Sequence, residues 1–183
     1  RMIPKDVLYT GVDIAKGIRM KEAGVDIKKN LPALEYTDLI SGLAWADIVV
    51  CACSLTKETE KMLCYEALRR AKTGALFVNV ARGEISPLRD LKRLLDEKIL
   101  GGLGLDVYEG EGAIARQLRL EKKEPADEMT RIVLELKDRD NVVFTPHNAF
   151  NTKEALERKA EQAMESVVSF LTQGTFPFPV PEK

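Results

Sequence analysis

Arg82, the carboxylates within residues 106–111 and His147 each stand at or just after an apolar run of the sequence. Such runs are typical of buried parallel strands, whose carboxyl ends lie together at one edge of the sheet. Ligands of open parallel sheets bind at that edge. We therefore expect these side chains to converge on one site, where an arginine, an acid and an imidazole would handle a small anion.

Arg82 follows an apolar run and is itself followed by Gly83. Its planar guanidinium can grip two oxygens of a carboxylate at once, which fixes both the position and the orientation of a ligand. Gly83 permits a tight turn and a close approach of another backbone. The alternative is a structural arginine that pairs with a carboxylate on a neighbouring helix.

His147 is the only histidine of the chain, so an imidazole acid or base at neutral pH must be this residue. A carboxylate beside an imidazole stabilises its protonated form and fixes its tautomer, as a proton donor to a developing alkoxide requires. The alternative is a lone histidine that only ends a strand.

Apolar runs alternate with amphipathic stretches along the chain, which predicts an α/β fold with a doubly wound parallel sheet. The runs lack polar alternation, and we expect an interior sheet that is buried on both faces. The predicted strands are Val7–Thr10, Asp47–Cys53, Ala75–Val80, Leu103–Val107 and Val142–Thr145.

Capping signals predict two main helices. Ser86 is the expected N-cap of one, with Pro87 at its first position, and Asn151 with Glu154 forms a capping box for the other, which Gly174 ends. Shorter helices are predicted over Thr37–Ala46, Lys57–Arg70 and Ala126–Leu136.

Two further segments have distinct patterns. The charged stretch 110–140 is predicted to leave the carboxyl end of a strand as a surface excursion, either functional or merely solvated. The proline-rich end 176–181 is expected to run extended across another surface.

The composition of the chain excludes several classes of function. The chain has 183 residues, 45% of them apolar and 31% charged, as in globular proteins. With 28 basic and 29 acidic residues its net charge is −1, so nucleic acid is not an expected partner. No apolar stretch reaches the roughly 18 residues of a membrane helix. The start of the chain is no signal peptide, and a cytoplasmic protein without membrane contact is expected.

The chain contains three cysteines, Cys51, Cys53 and Cys64. Their odd number and the Cys-x-Cys spacing inside an apolar run favour buried, reduced thiols. A zinc site would need more ligands nearby, so no metal site is expected.

Three blocks of sequence carry a family resemblance. They are Val-Asn-Val-Ala-Arg-Gly-Glu at 78–84, Gly-Leu-Asp-Val-Tyr-Glu-Gly-Glu at 104–111 and Thr-Pro-His-Asn-Ala-Phe at 145–150. In this order they resemble the signature blocks of the D-isomer-specific 2-hydroxyacid dehydrogenases. The likeness extends over about residues 7–171, and its details are similar to the D-lactate dehydrogenase and the glyoxylate/hydroxypyruvate reductase branches.

The resemblance implies an NAD(P)-dependent oxidoreductase that interconverts a 2-keto acid and a D-2-hydroxy acid. Arg82 would bind the substrate carboxylate and carbonyl oxygen, His147 would protonate that oxygen, and Glu111, in preference to Glu109, would hold His147. The cofactor would be lined by Cys53, Ser54, Thr59, Val80, Ala81, Arg82 and Asp106. The resemblance also implies a homodimer in the intact protein.

The sequence departs from the family pattern at its start. The family's substrate domain and its Gly-x-Gly-x-x-Gly turn, which holds the pyrophosphate at a helix N-terminus, are not found. The cluster Gly101–Gly104 precedes a strand and is interpreted as a loop-and-packing feature. We therefore expect a fragment, with a partial dinucleotide-binding domain at 1–174, a tail at 175–183 that would return to the substrate domain, and weak or no turnover for the isolated chain.

Two questions remain open from the sequence: which cofactor is bound and which class of function the protein has. NAD is the expected cofactor if Asp13 receives the adenosine ribose hydroxyls, whereas Lys16 and Arg19 could meet the 2′-phosphate of NADP. A dinucleotide-sensing corepressor on the same scaffold would keep the same arginine, acid and histidine.

Overall fold

The structure is a computed structural model that describes residues 19–119, apart from 28, 30, 31 and 33, and residues 127–178. The side chains of residues 113 and 117–119 lie outside this description. The strands are β1 (Ala23–Gly24), β2 (Glu35–Tyr36), β3 (Ile48–Cys51), β4 (Ala75–Asn79), β5 (Leu100–Leu105) and β6 (Val142–Phe144). The helices are α1 (Leu39–Trp45), α2 (Tyr65–Leu68), α3 (Leu88–Asp96), α4 (Glu111–Arg119), α5 (Glu128–Leu136) and α6 (Lys153–Gln173), with a short 3₁₀ turn at Gly83–Ile85.

Strands β3, β4, β5 and β6 form a parallel sheet in that spatial order, which confirms the predicted α/β fold. Strands β1 and β2 form a separate parallel pair that the sequence did not predict. The chain divides between Pro146 and His147 into two compact units. The sheet belongs to the first unit, and α6 belongs to the second.

The hydrophobic core of the first unit lies on one face of the sheet. Phe77, Leu103 and Leu105 point into it, and helix α3 adds a stripe of leucines that are almost completely buried. Each such leucine contributes roughly 1.5–3 kcal/mol through the apolar surface that it removes from water.

The opposite face of the sheet carries exposed side chains in the first unit. Val50 and Val143 stand on that face in register with β4 and β5, and each is 60% exposed. Within the first unit, the described residues cover one face of the sheet and leave these two valines exposed. Burial of both faces stays a prediction, because an apolar run shows which residues can be buried, not which segment covers them.

Helix α3 begins one residue later than predicted, with Pro87 at the N-cap position. The hydroxyl of Ser86 does not cap it but accepts a hydrogen bond from the buried side chain of Asn79 at 2.8 Å. Instead, the backbone N–H of Leu88 donates to the carboxylate of Glu109 at 3.0 Å. A carboxylate near a helix N-terminus is also favoured by the helix dipole.

The other predicted helices are found with shifted ends. The N-cap of α6 is Thr152 rather than Asn151, because the Thr152 hydroxyl accepts from the N–H of Ala155, and Gly174 ends the helix with a φ of 71° as expected. In the segment 57–70 only α2 is helical, and residues 57–63 form turns. Helix α5 starts after Asp127, whose side chain accepts from the N–H of Thr130.

Some predictions fall outside the described residues. These are the strand Val7–Thr10, the residues Asp13 and Lys16, the charged stretch from Leu120 to Pro125, and the end of the tail after Phe178. Of the tail, Phe176 is described, and its ring stacks on Phe170 with centroids 4.8 Å apart. The division of the chain at residue 174 stays a prediction. Within the described residues, none of the helices combines the length and the apolar character needed to cross a lipid bilayer.

The glycine cluster lies inside β5 rather than in a loop before it. Strand β5 therefore starts three residues earlier than predicted, and the cluster's packing role is visible at Gly101. A Cβ atom added there would lie 2.4 Å from the carbonyl oxygen of Gly74, which is far too close for two atoms that are not bonded.

We predict that Gly101→Ala lowers the free energy of unfolding by about 1–3 kcal/mol, because the added methyl group displaces the Gly74 backbone. Gly104→Ala is the matched control in the same strand, since its Cβ would meet Val78 at an ordinary distance of 3.4 Å. Urea denaturation of both variants measures the difference. Equal losses of stability would contradict the packing role of Gly101.

Candidate active site

The four strands of the sheet end level with one another. Cys51 of β3 pairs with Asn79 of β4, Asn79 pairs with Leu105 of β5, and Leu105 pairs with Phe144 of β6. This row of strand ends forms one edge of the sheet. Since every strand is parallel, the segments that follow the row all leave from the same edge, where ligands of such sheets bind.

Arg82 is carried by a turn that the side chain of Asn79 holds in place. The Asn79 amide is completely buried, donates to the carbonyl oxygen of Arg82 at 3.0 Å and accepts from the N–H of Ala81 at 2.9 Å. The guanidinium itself is exposed and donates to the carbonyl oxygen of Ala81 at 2.6 Å. The turn is thus fixed from inside, while the charged end of Arg82 remains accessible.

Gly83 brings this turn against the loop that follows β5. A Cβ atom at this position would lie 2.3 Å from the carbonyl carbon of Tyr108 and 2.5 Å from the nitrogen of Glu109. Only glycine allows the two backbones to approach so closely. The Arg82 turn and the carboxylate-bearing loop therefore form one packed unit.

The three carboxylates after β5 have different environments. Asp106 is buried and accepts a hydrogen bond from the hydroxyl of Thr145 at 2.5 Å. Glu109 caps helix α3, as described above. Glu111 is half-buried at the first position of α4, and its carboxylate accepts from the N–H of Tyr108 at 3.0 Å. Hydrogen bonding thus ties each acid to a different part of the edge.

Most of the expected cofactor-lining residues lie around the ends of β3 and β4, whereas Asp106 follows β5. Val80 is 38% exposed, whereas the side chain of Ala81 is buried. The hydroxyl of Thr59 donates to the carbonyl oxygen of Ser54 at 2.7 Å and accepts from the N–H of Thr56 at 2.8 Å, which closes the loop after β3 into a turn.

Cys53 continues the line of β3 beyond its last residue. Its sulfur lies 3.9 Å from the sulfur of Cys51, which is buried. A hydrogen bond from the Cys51 thiol lowers the pKa of Cys53 to about 7, against the opposing effect of burial. The same contact and its burial raise the pKa of Cys51, so this thiol stays protonated.

His147 is the first residue of the second unit. Its backbone has a φ of 52°, in the left-handed region that few residues other than glycine adopt. Its ring meets Phe150 edge-on, with centroids 6.2 Å apart. Arg82, Asp106 and Glu111 all belong to the first unit, and the pairing of His147 with Glu111 stays a prediction.

Asn79 and Gly83 fix the Arg82 turn against the loop after β5, yet no role for Asn79 was predicted from the sequence. The sequence did contain an indication of this role, because a buried asparagine at the end of an apolar strand must satisfy several hydrogen bonds.

No group of three or more side chains suited to a metal ion occurs within residues 19–119 and 127–178 as described.

We predict that alkylation of Cys53 by iodoacetamide rises with pH through a midpoint of about 7, because the thiolate is the reactive form. In Cys51→Ala the hydrogen-bond donor is gone, and the midpoint should move towards the ordinary 9.0. Fragmentation of the tryptic peptide 30–57 in the mass spectrometer separates alkylation of residue 53 from that of residue 51, with Cys64→Ser as the control. A midpoint near 9.0 in the unmodified chain would contradict the hydrogen bond.

Comparison with known proteins gives the family. Residues 11–149 match the family model described as D-isomer specific 2-hydroxyacid dehydrogenase, NAD binding domain. D-lactate dehydrogenase of Lactiplantibacillus plantarum is 33% identical over 167 residues, which are 89% of this chain and 49% of that protein. Glyoxylate reductase of Thermofilum pendens is 34% identical over 146 residues, 80% of this chain and 38% of that protein.

Solved structures of similar fold are consistent with this family. D-lactate dehydrogenase from Aquifex aeolicus, complexed with NAD and lactic acid, superposes with a TM-score of 0.78 and 30% identity, covering 92% of this chain and 53% of that one. The chain spans about half the length of the relatives it matches. The three signature blocks, the parallel sheet and the matched domain together show that the chain belongs to the D-isomer-specific 2-hydroxyacid dehydrogenase family, with residues 11–149 corresponding to its NAD-binding domain.

Proposed function

We propose that this chain provides the cofactor-binding part of an oxidoreductase that interconverts a 2-keto acid and a D-2-hydroxy acid. The observation that carries the proposal is the packed edge of the sheet, where the buried Asn79 fixes the Arg82 turn against the loop of Glu109 and Glu111. This edge presents a cation for a substrate carboxylate beside an acid that can hold a proton donor.

Arg82 is the proposed anchor for the substrate. Its guanidinium is exposed while its backbone is fixed by Asn79, so the side chain can reach a ligand from a rigid base. A guanidinium that binds both the carboxylate and the neighbouring carbonyl oxygen of a 2-keto acid also polarises the carbonyl group. Arg82 would thereby position the substrate and stabilise the negative charge that develops on its oxygen.

His147 is the proposed proton donor to that oxygen, and Glu111 is the proposed positioning residue for its imidazole. The choice of Glu111 over Glu109 follows the family resemblance, since both carboxylates accept from a backbone N–H, Glu111 from Tyr108 and Glu109 from Leu88. A carboxylate that orients an imidazole also stabilises the charged form that donates the proton. The acid and the imidazole would therefore act as one unit.

NAD fits the residues at the ends of β3 and β4. Exposed Val80 offers an apolar contact for a nicotinamide ring, and the loop of Ser54 and Thr59 offers hydroxyl and backbone groups for a ribose. When bound, the reduced cofactor supplies the hydride that the substrate carbonyl carbon receives. The choice between NAD and NADP involves Asp13 and Lys16, which lie outside the described residues, and Arg19, which is exposed.

We propose that the full-length protein forms a homodimer and that it is located in the cytoplasm. Free thiols are typical of a reducing compartment, and all three cysteines are unbridged. Analytical ultracentrifugation of the full-length gene product measures the number of subunits.

The test of the function uses the full-length gene product with NADH, NADPH and a panel of 2-keto acids. We expect NADH-dependent reduction to the D-hydroxy acid, and His147→Asn should lower kcat by about 10²-fold or more because the proton donor is lost. Arg89→Gln is the control, since Arg89 forms an exposed ion pair with Glu128. Unchanged turnover in His147→Asn would remove the acid role.

A second prediction separates the two glutamates. Glu111→Gln should lower kcat by roughly 10- to 100-fold, because a hydrogen bond to a charged group contributes about 1.5–3 kcal/mol. Glu109→Gln should leave kcat within a few-fold and lower the melting temperature, since only a helix cap is weakened. Steady-state kinetics and thermal unfolding of the same two proteins measure both effects. The reverse pattern would assign the role to Glu109.

A further inference from the structure

Cys51 and Cys53 form a pair of thiols that the proposed hydride transfer does not use. In an extended chain, side chains two residues apart point to the same face, so the Cys-x-Cys spacing places both sulfurs on the core side of the sheet. Their sulfurs are 3.9 Å apart. Cys64, by contrast, is the N-cap residue of α2, well separated from the pair in sequence.

The two thiols differ in access. Cys51 is 4% exposed and belongs to the core, whereas Cys53 is only half-buried at the end of the strand. An oxidant in solution therefore meets Cys53 first. Cys53 is also the thiol whose pKa lies near 7, so a large fraction of it is thiolate at neutral pH.

From this geometry we infer that Cys51 and Cys53 form a peroxide-sensitive dithiol that closes to a reversible disulfide. The oxidant is a hydroperoxide such as hydrogen peroxide. Cys53 is the attacking residue, and Cys51 is the resolving residue.

The chemistry balances in two steps. The Cys53 thiolate attacks hydrogen peroxide, forming an S–O bond while the O–O bond breaks, and leaves a sulfenic acid and hydroxide. The sulfur of Cys51 then attacks the sulfur of Cys53, the S–O bond breaks, and the hydroxyl leaves as water with the Cys51 proton. The pair loses two electrons, and the peroxide is reduced to one water and one hydroxide ion.

Oxidation of Cys53, the first step, favours the attack by Cys51, the second step. The Cys53 contact raises the pKa of Cys51 in the reduced pair, and burial adds to this effect. Once Cys53 is a neutral sulfenic acid, its negative charge no longer opposes ionisation of Cys51. The buried thiol is thus protected until its neighbour has reacted.

The disulfide should also be easy to reduce. A disulfide bond is about 2.0 Å long, so the sulfurs must approach by roughly 2 Å from their observed separation. Two residues so close in an extended chain reach the upper end of the usual Cα separation, which strains the bond. Strained disulfides have more oxidising potentials and are typical of reversible pairs.

Tryptic mapping tests the inference directly. Cys51 and Cys53 lie together in the peptide 30–57, while Cys64 lies in the peptide 62–69. After treatment with hydrogen peroxide, we expect the first peptide to lose two hydrogen atoms and to resist alkylation. Dithiothreitol should reverse both changes. Cys64→Ser should behave like the unmodified chain.

Two variants separate the roles of the pair. Cys51→Ala should leave Cys53 to gain oxygen atoms, since no resolving thiol remains, and Cys53→Ser should leave the buried Cys51 unreacted. Because Cys51→Ala enlarges a core space, the exposed-site variant Cys53→Ser keeps the test valid if the former folds poorly. Added oxygen instead of lost hydrogen in the unmodified chain, or a disulfide to Cys64, would overturn the inference.

One consequence rests on the proposed function. Cys53 is among the proposed cofactor-lining residues, so the disulfide should weaken NADH binding to the full-length protein, measured by fluorescence before and after peroxide. Failure of NADH to bind the reduced protein would count against the proposed function alone. Tryptic mapping still decides the disulfide in that case, because it does not depend on the cofactor.

Discussion

The site depends on one buried amide, the side chain of Asn79. It stands at the end of β4, the strand between β3 and β5, and is completely shielded from water. Its donor and acceptor groups bind the backbone of Ala81 and Arg82 and the hydroxyl of Ser86. A buried amide left without partners costs about 1–3 kcal/mol, so the turn keeps the conformation that satisfies it. Asn79 therefore fixes the turn that carries the Arg82 guanidinium at the end of β4.

The rest of the edge is built onto this turn. Gly83 lets the backbone of the turn contact Tyr108 and Glu109, and Glu109 in turn caps helix α3, which packs its leucines beneath the sheet. The Glu109 cap, the close backbone approach at Gly83 and the leucines of α3 are therefore connected to one another. Residues with no chemical role of their own determine where Arg82 and Glu111 lie.

The four strands of the main sheet and the three blocks could be predicted from the sequence, because buried parallel strands are continuous apolar runs and the blocks follow them directly. The local hydrogen bonds could not. Ser86 has the residue type of an N-cap, yet its hydroxyl binds Asn79 and a glutamate 21 positions after Leu88 takes its place. Glu109 is distant from Leu88 in sequence, and only the packing of the turn after β4 against the loop after β5 brings them together. What packs against the face around Val50 could not be predicted either, since a run of valines does not reveal what covers it.

The thiol pair and the Arg82 turn are connected through the backbone of the sheet. The N–H of Val80, the residue that leads into the turn, donates to the carbonyl oxygen of Cys51 at 3.1 Å. Cys51 also pairs with Asn79 across the two strands. A disulfide that draws Cys53 towards Cys51 would strain this strand end, because closely packed interiors transmit strain. The same hydrogen bond that aligns the two strands would then carry an oxidative change at β3 to the turn that holds the guanidinium.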